Sequence, residues 1–100
     1  MGSTVLDVPK VIEGVNDAAE HALPWDIILY NDDVHSFDEV ILQVQKATGV
    51  SLQDAFEITM EVHTKGRAIC FSGPFDDCER VAIVLREIHL TVEIVPHGSM

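Results

Sequence analysis

Basic residues are scarce in this chain. Six lysines and arginines stand against seventeen aspartates and glutamates, a formal net charge of −11 over 100 residues. Phosphate backbones and anionic lipid surfaces are held by basic patches, so this imbalance argues against nucleic acid and membrane surfaces as partners. It suits a cationic ligand or a basic protein partner, beside the plainer role of keeping the protein soluble. Cysteine is nearly absent: Cys70 lies in the apolar run "RAICF" and Cys78 in a stretch with helical spacing. Two such residues make no disulfide framework, so a reducing compartment is expected. No apolar run is long enough to span a bilayer, and the N-terminus carries no basic segment followed by an apolar one. A cytoplasmic protein is therefore the expectation. Repeats and low-complexity segments are missing as well, and 47% hydrophobic content in 100 residues amounts to one domain with a real core.

Catalytic and metal-binding signatures are equally thin. His35, His63, Cys70, Cys78 and His89 follow no CxxC or HxxxH spacing. The stretch "NDDVHSFDEV" lacks the glycine and the closing glutamate of a calcium loop. No G-x-S-x-G elbow is present. A thiol nucleophile built from Cys70 with His63 would need an exposed, activated sulfur, whereas Cys70 alternates with apolar neighbours in a strand pattern, as a buried inert thiol does.

What is present is an orderly succession of elements. Residues 1–23 show no sustained periodicity and are expected to form a mobile arm, with Pro24 opening a domain over 24–96. "WDIILY" reads as a strand, apolar and partly β-branched. "NDDVH" is a loop, and "SFDE" a capping box in which Ser36 and Glu39 exchange hydrogen bonds at a helix start. Val40, Ile41, Val44 and Ala47 follow at helical spacing up to Gly49. Ser51 caps a second helix with Ala55, Ile58, Thr59 and Val62 inward, ending at Gly66. "RAICFS" is a second strand. Pro74 suits the first turn of a third helix carrying Val81, Val84, Leu85 and Ile88, and "LTVEIV" is the last strand. The order β-α-α-β-α-β predicts an α+β domain: a small antiparallel three-stranded sheet with three helices on one face.

One constellation stands out. Asn31, Asp32 and Asp33 follow the first strand, and His63 closes the second helix. A primary ammonium offers three donors and no acceptor, so holding it takes converging acceptors that include a carboxylate. Asn31, Asp33 and neutral His63 can supply them. Asn and Asp are equally common as turn residues, and on composition alone the plain turn leads.

The stretches "PWDIILYNDDVHSFDEVI" and "ATGVSLQDAFEITMEVHTKGRAICFSGP" resemble the ClpS family, the adaptors of bacterial N-degron degradation. "NDD" after the first strand, "VH" followed by "GRA" at the end of the second helix, and an apolar–acidic helix after "GP" carry the resemblance across residues 24–95. A related domain occurs in eukaryotic N-recognin ligases, but a chain this small looks like the free-standing adaptor. The resemblance implies a monomeric, non-enzymatic adaptor without cofactors. It would bind the N-terminal Phe, Tyr, Trp or Leu of substrates and hand them to the N-domain of a ClpA- or ClpC-like unfoldase. It implies that Asn31, Asp33 and His63 hold the substrate α-ammonium, with Asp32 shaping the loop. Leu29, His35, Phe37, Val40, Thr59 and Val62 fall at the side-chain pocket, joined by one of Leu90, Thr91 or Val92, and Asp76 falls at the contact with the unfoldase. The chain departs from the usual family residues at His35 (often Thr), at Phe37 and Thr59 (often Met), and at Val81 (often Lys). A rigid ring at Phe37 is expected to favour aromatic over aliphatic ligands. The competing reading, a small metal- or thiol-dependent enzyme, rests on His63 and Cys70.

Overall fold

The computed structural model describes residues 23–100. The arm expected over 1–23 lies, apart from Leu23, outside the described residues. Three strands and three helices follow in the predicted order: β1 (Trp25–Tyr30), α1 (Phe37–Thr48), α2 (Leu52–Lys65), β2 (Arg67–Gly73), α3 (Phe75–Arg86) and β3 (Val92–Pro96). The sheet runs β2-β1-β3, antiparallel throughout, with the first strand in the middle.

The helix boundaries follow local chemistry. Ser36 Oγ accepts from the Glu39 amide at 3.1 Å, and Glu39 Oε1 accepts from the Ser36 amide at 2.8 Å, satisfying two amides that the first turn of α1 would leave unpaired. Ser51 caps α2 by accepting from the Asp54 amide at 3.0 Å. Gly66 ends α2 in the left-handed region, φ 90°, where a side chain would be strained. Pro74 precedes α3 as its cap and is not within its first turn: it is extended at ψ 153°, and its carbonyl accepts from the Cys78 amide. The third helix also stops earlier than its apolar spacing suggests. Arg86 is its last residue, His89 turns to φ 65°, and β3 begins only at Val92, so Ile88 and Leu90 lie in the connection.

The core packs Trp25, Ile27 and Leu29 of β1 against Ile41 and Val44 of α1, Ala55 and Val62 of α2, and Cys78, Val81, Ala82 and Leu85 of α3. The Trp25 and Phe75 rings meet edge-on, centroids 4.9 Å apart. Gln43 is buried among the apolar residues of α1. Its amide donates to the Val84 carbonyl at 2.6 Å and so ties α1 to the end of α3.

A β-bulge decides which side chains of β2 reach the core. Ile27 pairs with Phe71 but Ile28 pairs with Ile69, leaving Cys70 unopposed. Ala68 and Cys70 are buried before the irregularity. After it the alternation is reversed, so Phe71 packs on the core and Ser72 turns to the opposite face. There Ser72 Oγ donates to Asp26 Oδ1 at 2.6 Å. Asp26 is fully buried and also takes His97 Nδ1 at 2.9 Å and the Gly98 amide at 3.1 Å. Burial alone would raise its carboxyl pKa, but the bonds from His97, Ser72 and Gly98 outweigh this and hold it below the ordinary value.

A carboxyl depressed in the folded state contributes stability that is complete above its ordinary pKa, ~3.9, and is lost as pH falls through the lowered value. Acid unfolding of the wild type is therefore expected to steepen in that range, and Asp26→Asn to flatten the acid limb. Ser72→Ala leaves one carboxylate oxygen short of a donor and is expected to cost about 1–3 kcal/mol in urea unfolding at neutral pH. A loss indistinguishable from zero would show that the bulge has no energetic role there.

Candidate functional site

Three chain segments meet at the end of the sheet where β1 finishes. The Tyr30 amide donates to the Thr91 carbonyl at 3.0 Å, and the Asn31 amide to the Gly66 carbonyl at 2.9 Å. The first extends the β1–β3 ladder one step beyond Leu29 and Val92, and the second extends the β1–β2 ladder one step beyond Tyr30 and Arg67. The loop at 31–35 is thereby fixed between the end of α2 and the segment that leads into β3.

Asp32 organises that loop from within. Its Oδ1 accepts from the Val34 amide at 2.9 Å and the His35 amide at 3.0 Å, an Asx turn, and its Oδ2 takes His35 Nδ1 at 2.8 Å. His35 Nε2 reaches the Ile88 carbonyl at 2.5 Å. Burial would raise the Asp32 pKa, but bonds from the His35 and Val34 amides and the His35 ring bring it below the ordinary value. The His35 pKa is raised, first by Asp32 and then by the Ile88 carbonyl, against the opposing effect of burial.

A cavity of about 270 Å³ opens beside this loop. Asn31, Asp32, Asp33 and His35 line it from the loop, Ser36, Phe37 and Val40 from the start of α1, Thr59, Val62 and His63 from α2, Tyr30 from β1, and Leu90 from the connection before β3. Asn31, Asp33 and His63 are exposed at it, while Thr59, Val62 and Leu90 are almost fully buried. Among the described residues, neither Asn31 nor Asp33 has a side-chain hydrogen-bond partner, so their oxygens are free to accept. The Phe37 ring stands edge-on to both Phe56, 5.7 Å away, and His63, 6.0 Å away. The site thus has a polar, acidic side and an apolar side. It can take a cation at one end and a bulky apolar group at the other.

Of the pocket residues expected from the resemblance, His35, Phe37, Val40, Thr59 and Val62 come together here. Leu29 does not: it is wholly inside the core, packed towards the helices, and is absent from the cavity wall. Of Leu90, Thr91 and Val92, Leu90 lines the cavity; it lies in the connection ahead of β3, just after the turn at His89. Tyr30 and Ser36 line the cavity as well, outside the set the resemblance implies; they flank the loop, and adjacency to "NDDVH" is their only mark in the sequence. Thr59 Oγ1 is buried with no hydrogen-bond partner among the described residues. Asp76 sits exposed in the first turn of α3, outside the cavity lining. Cys70 is in the core, where burial pushes its thiol up to about 12, far from a reactive thiolate. No group of three His, Cys, Asp or Glu side chains among the described residues is arranged to hold a metal ion. No helix among them is long and apolar enough to cross a membrane.

Comparison with known proteins agrees with this architecture. The family model described as "ATP-dependent Clp protease adaptor protein ClpS" matches residues 20–91. An ATP-dependent Clp protease adapter protein ClpS of Corynebacterium glutamicum is 35% identical over 77 residues, covering 77% of this chain and 77% of the relative. The corresponding protein of Corynebacterium diphtheriae is 37% identical over 79 residues, 77% of this chain and 70% of the relative. A segment is also 34% identical to the Drosophila melanogaster E3 ubiquitin-protein ligase UBR1, over 56% of this chain but only 3% of that protein. In fold, the chain is similar to Agrobacterium tumefaciens ClpS2 bound to L-phenylalaninamide, with a TM-score of 0.65 at 18% identity, covering 73% of this chain and 98% of that one. With its β2-β1-β3 sheet, three helices and matched span, this chain belongs to the ClpS family of Clp protease adaptors.

Proposed function

We propose that this adaptor captures the N-terminal residue of N-degron substrates, with the α-ammonium held by Asn31, Asp33 and His63 and a bulky hydrophobic side chain seated against Phe37, Val40, Thr59, Val62 and Leu90. The observation that carries the reading is the division of one small cavity into an acidic rim with unpaired acceptors and an apolar interior. An N-terminal residue with a large side chain presents the same two chemistries a few ångströms apart. The complex of the A. tumefaciens structural neighbour with phenylalaninamide, a free α-amine beside a phenyl ring, is consistent with it. Burying the side chain contributes about 1.5–3 kcal/mol, and each charge-assisted hydrogen bond roughly 1.5–3 kcal/mol. Less the cost of ordering, these terms reach micromolar affinity, about −8 kcal/mol.

Delivery is proposed to run through the N-domain of a ClpA- or ClpC-like unfoldase, with exposed Asp76 on α3 as a contact and the arm over residues 1–23 as the segment that engages the motor. The protein would work as a monomer in the cytoplasm, with bulky N-terminal residues (Phe, Tyr, Trp or Leu) as its ligands. The thiol-enzyme alternative loses its nucleophile to the core: a sulfur with its pKa near 12 is protonated at neutral pH, and Cys70 does not reach the cavity that His63 lines.

Titration with short peptides that differ only at residue one tests the recognition step. A free Phe peptide is expected to bind, and its acetylated form, lacking the cation and two of its donors, to lose nearly all affinity; acetylated binding within a few-fold of the free form would sink the site assignment. Asp33→Ala is expected to weaken the free peptide by at least about tenfold, the worth of one charge-assisted bond. Asp32→Ala should weaken it less, because its carboxylate is turned into the loop.

Deleting residues 1–23 is expected to leave Phe-peptide affinity unchanged while abolishing accelerated degradation of a Phe-tagged substrate by the cognate Clp protease. Loss of peptide binding on deletion would contradict that separation of capture from delivery.

A further inference from the structure

The His35 ring is clamped at both nitrogens by groups that only accept. Nδ1 lies 2.8 Å from an Asp32 carboxylate oxygen, and Nε2 lies 2.5 Å from the Ile88 backbone carbonyl. A neutral imidazole has one N–H and one lone pair, so one of the two contacts would set lone pair against lone pair. The doubly protonated ring satisfies both. Its side chain is only 10% exposed, and that of its carboxylate partner 24%, so the pair is substantially shielded from solvent. Both in-plane N–H groups are taken by the protein. What His35 can turn towards the cavity it lines is therefore ring face and carbon edge.

Resting on the adaptor reading above, we propose that His35 is a specificity-determining residue: an imidazolium fixed by Asp32 and Ile88 that forms a cationic wall of the side-chain pocket and selects aromatic over aliphatic first residues. The negative face of a phenyl, phenol or indole ring is attracted by a neighbouring cation, most strongly for Trp, whereas a leucine side chain gains nothing of the kind. The wall is compensated by Asp32, so the acidic rim at Asp33 keeps its charge for the ammonium. Phe37 also favours aromatic ligands, but a phenyl ring does not titrate, which separates the two contributions.

The groups facing His35 set its charge. Asp32 lies beside it in the loop, the Ile88 carbonyl approaches from the connection after α3, and Glu39 acts from the first turn of α1. Across the cavity stand His63 on α2 and Asp33 at the rim. The first three hold the proton on His35 to a pH above the ordinary ~6.5 of an imidazole. A raised histidine contributes stability that is fully present below the ordinary value and is lost as pH rises through the raised one. The cationic wall follows the same course: present below the ordinary value and lost as pH rises through the raised one.

The test compares two peptides identical except for Trp or Leu at residue one, titrated from about pH 6 to about pH 9. Their α-amines titrate alike, so the ratio of their affinities removes that common effect. In the wild type the Trp-to-Leu ratio is expected to fall about threefold to tenfold as His35 loses its proton. In His35→Gln the ratio should be low and flat with pH while both peptides still bind. Asp32→Asn should move the wild-type fall to lower pH. Nitrogen NMR of the imidazole rings should find both His35 nitrogens protonated at neutral pH in the free protein. Equal ratios in wild type and His35→Gln at every pH, or a single neutral His35 tautomer at neutral pH, would overturn the proposal. Binding of neither peptide by the wild type would instead remove the adaptor reading, and the role of His35 with it.

Discussion

The site depends on the central place of β1. A strand hydrogen-bonded on both edges cannot slide without breaking two ladders, and its pairing does not stop at Tyr30. The Tyr30 amide bonds Thr91 on one side, and the Asn31 amide bonds Gly66 on the other. Those two bonds set the acidic loop against the end of α2, three residues past His63, and against the connection holding Leu90. Every other feature of the cavity follows from that junction. Ser36 and Glu39 start α1 at the loop's far end, and Gly66 permits the left-handed turn by which α2 gives way to β2.

Two adjacent aspartates have opposite roles because they face different surroundings. Asp32 is committed inward, with two backbone amides and one imidazole nitrogen on its oxygens. Asp33 is exposed at the cavity with no such partner among the described residues. The first builds the loop, and the second is left with acceptor capacity for a ligand. This is the physical content of an acidic cluster in a chain with so few basic residues: the acceptors of one carboxylate are taken up inside the loop, and those of the other face the cavity.

The far end of the sheet shows the same economy of polar groups. Asp26, buried in the middle strand, would be costly alone. The bulge in β2 swings Ser72 onto it, and His97 and Gly98 complete its shell. Thr59 is the contrasting case, a buried hydroxyl in the cavity wall with no hydrogen-bond partner among the described residues.

The sequence by itself determined the elements, their order and their caps, because these depend on neighbours within a few residues: the Ser36–Glu39 box, Ser51 and Asp54, the glycines at 49 and 66, and the apolar spacing of each helix. Motif resemblance singles out Asn31, Asp33 and His63 as candidate ammonium ligands from the sequence alone. Tertiary structure decided what depends on distant partners. The bulge at Ile27/Ile28 re-aimed Ser72, which strict alternation would have left facing the core beside Ala68 and Cys70. Burial placed Leu29 in the core and not at the cavity, and the turn at His89 brought Leu90 there. The doubly clamped His35 ring could not be read from the chain at all, since its second partner is a backbone carbonyl 53 residues away, and a carbonyl leaves no trace in the identity of its residue.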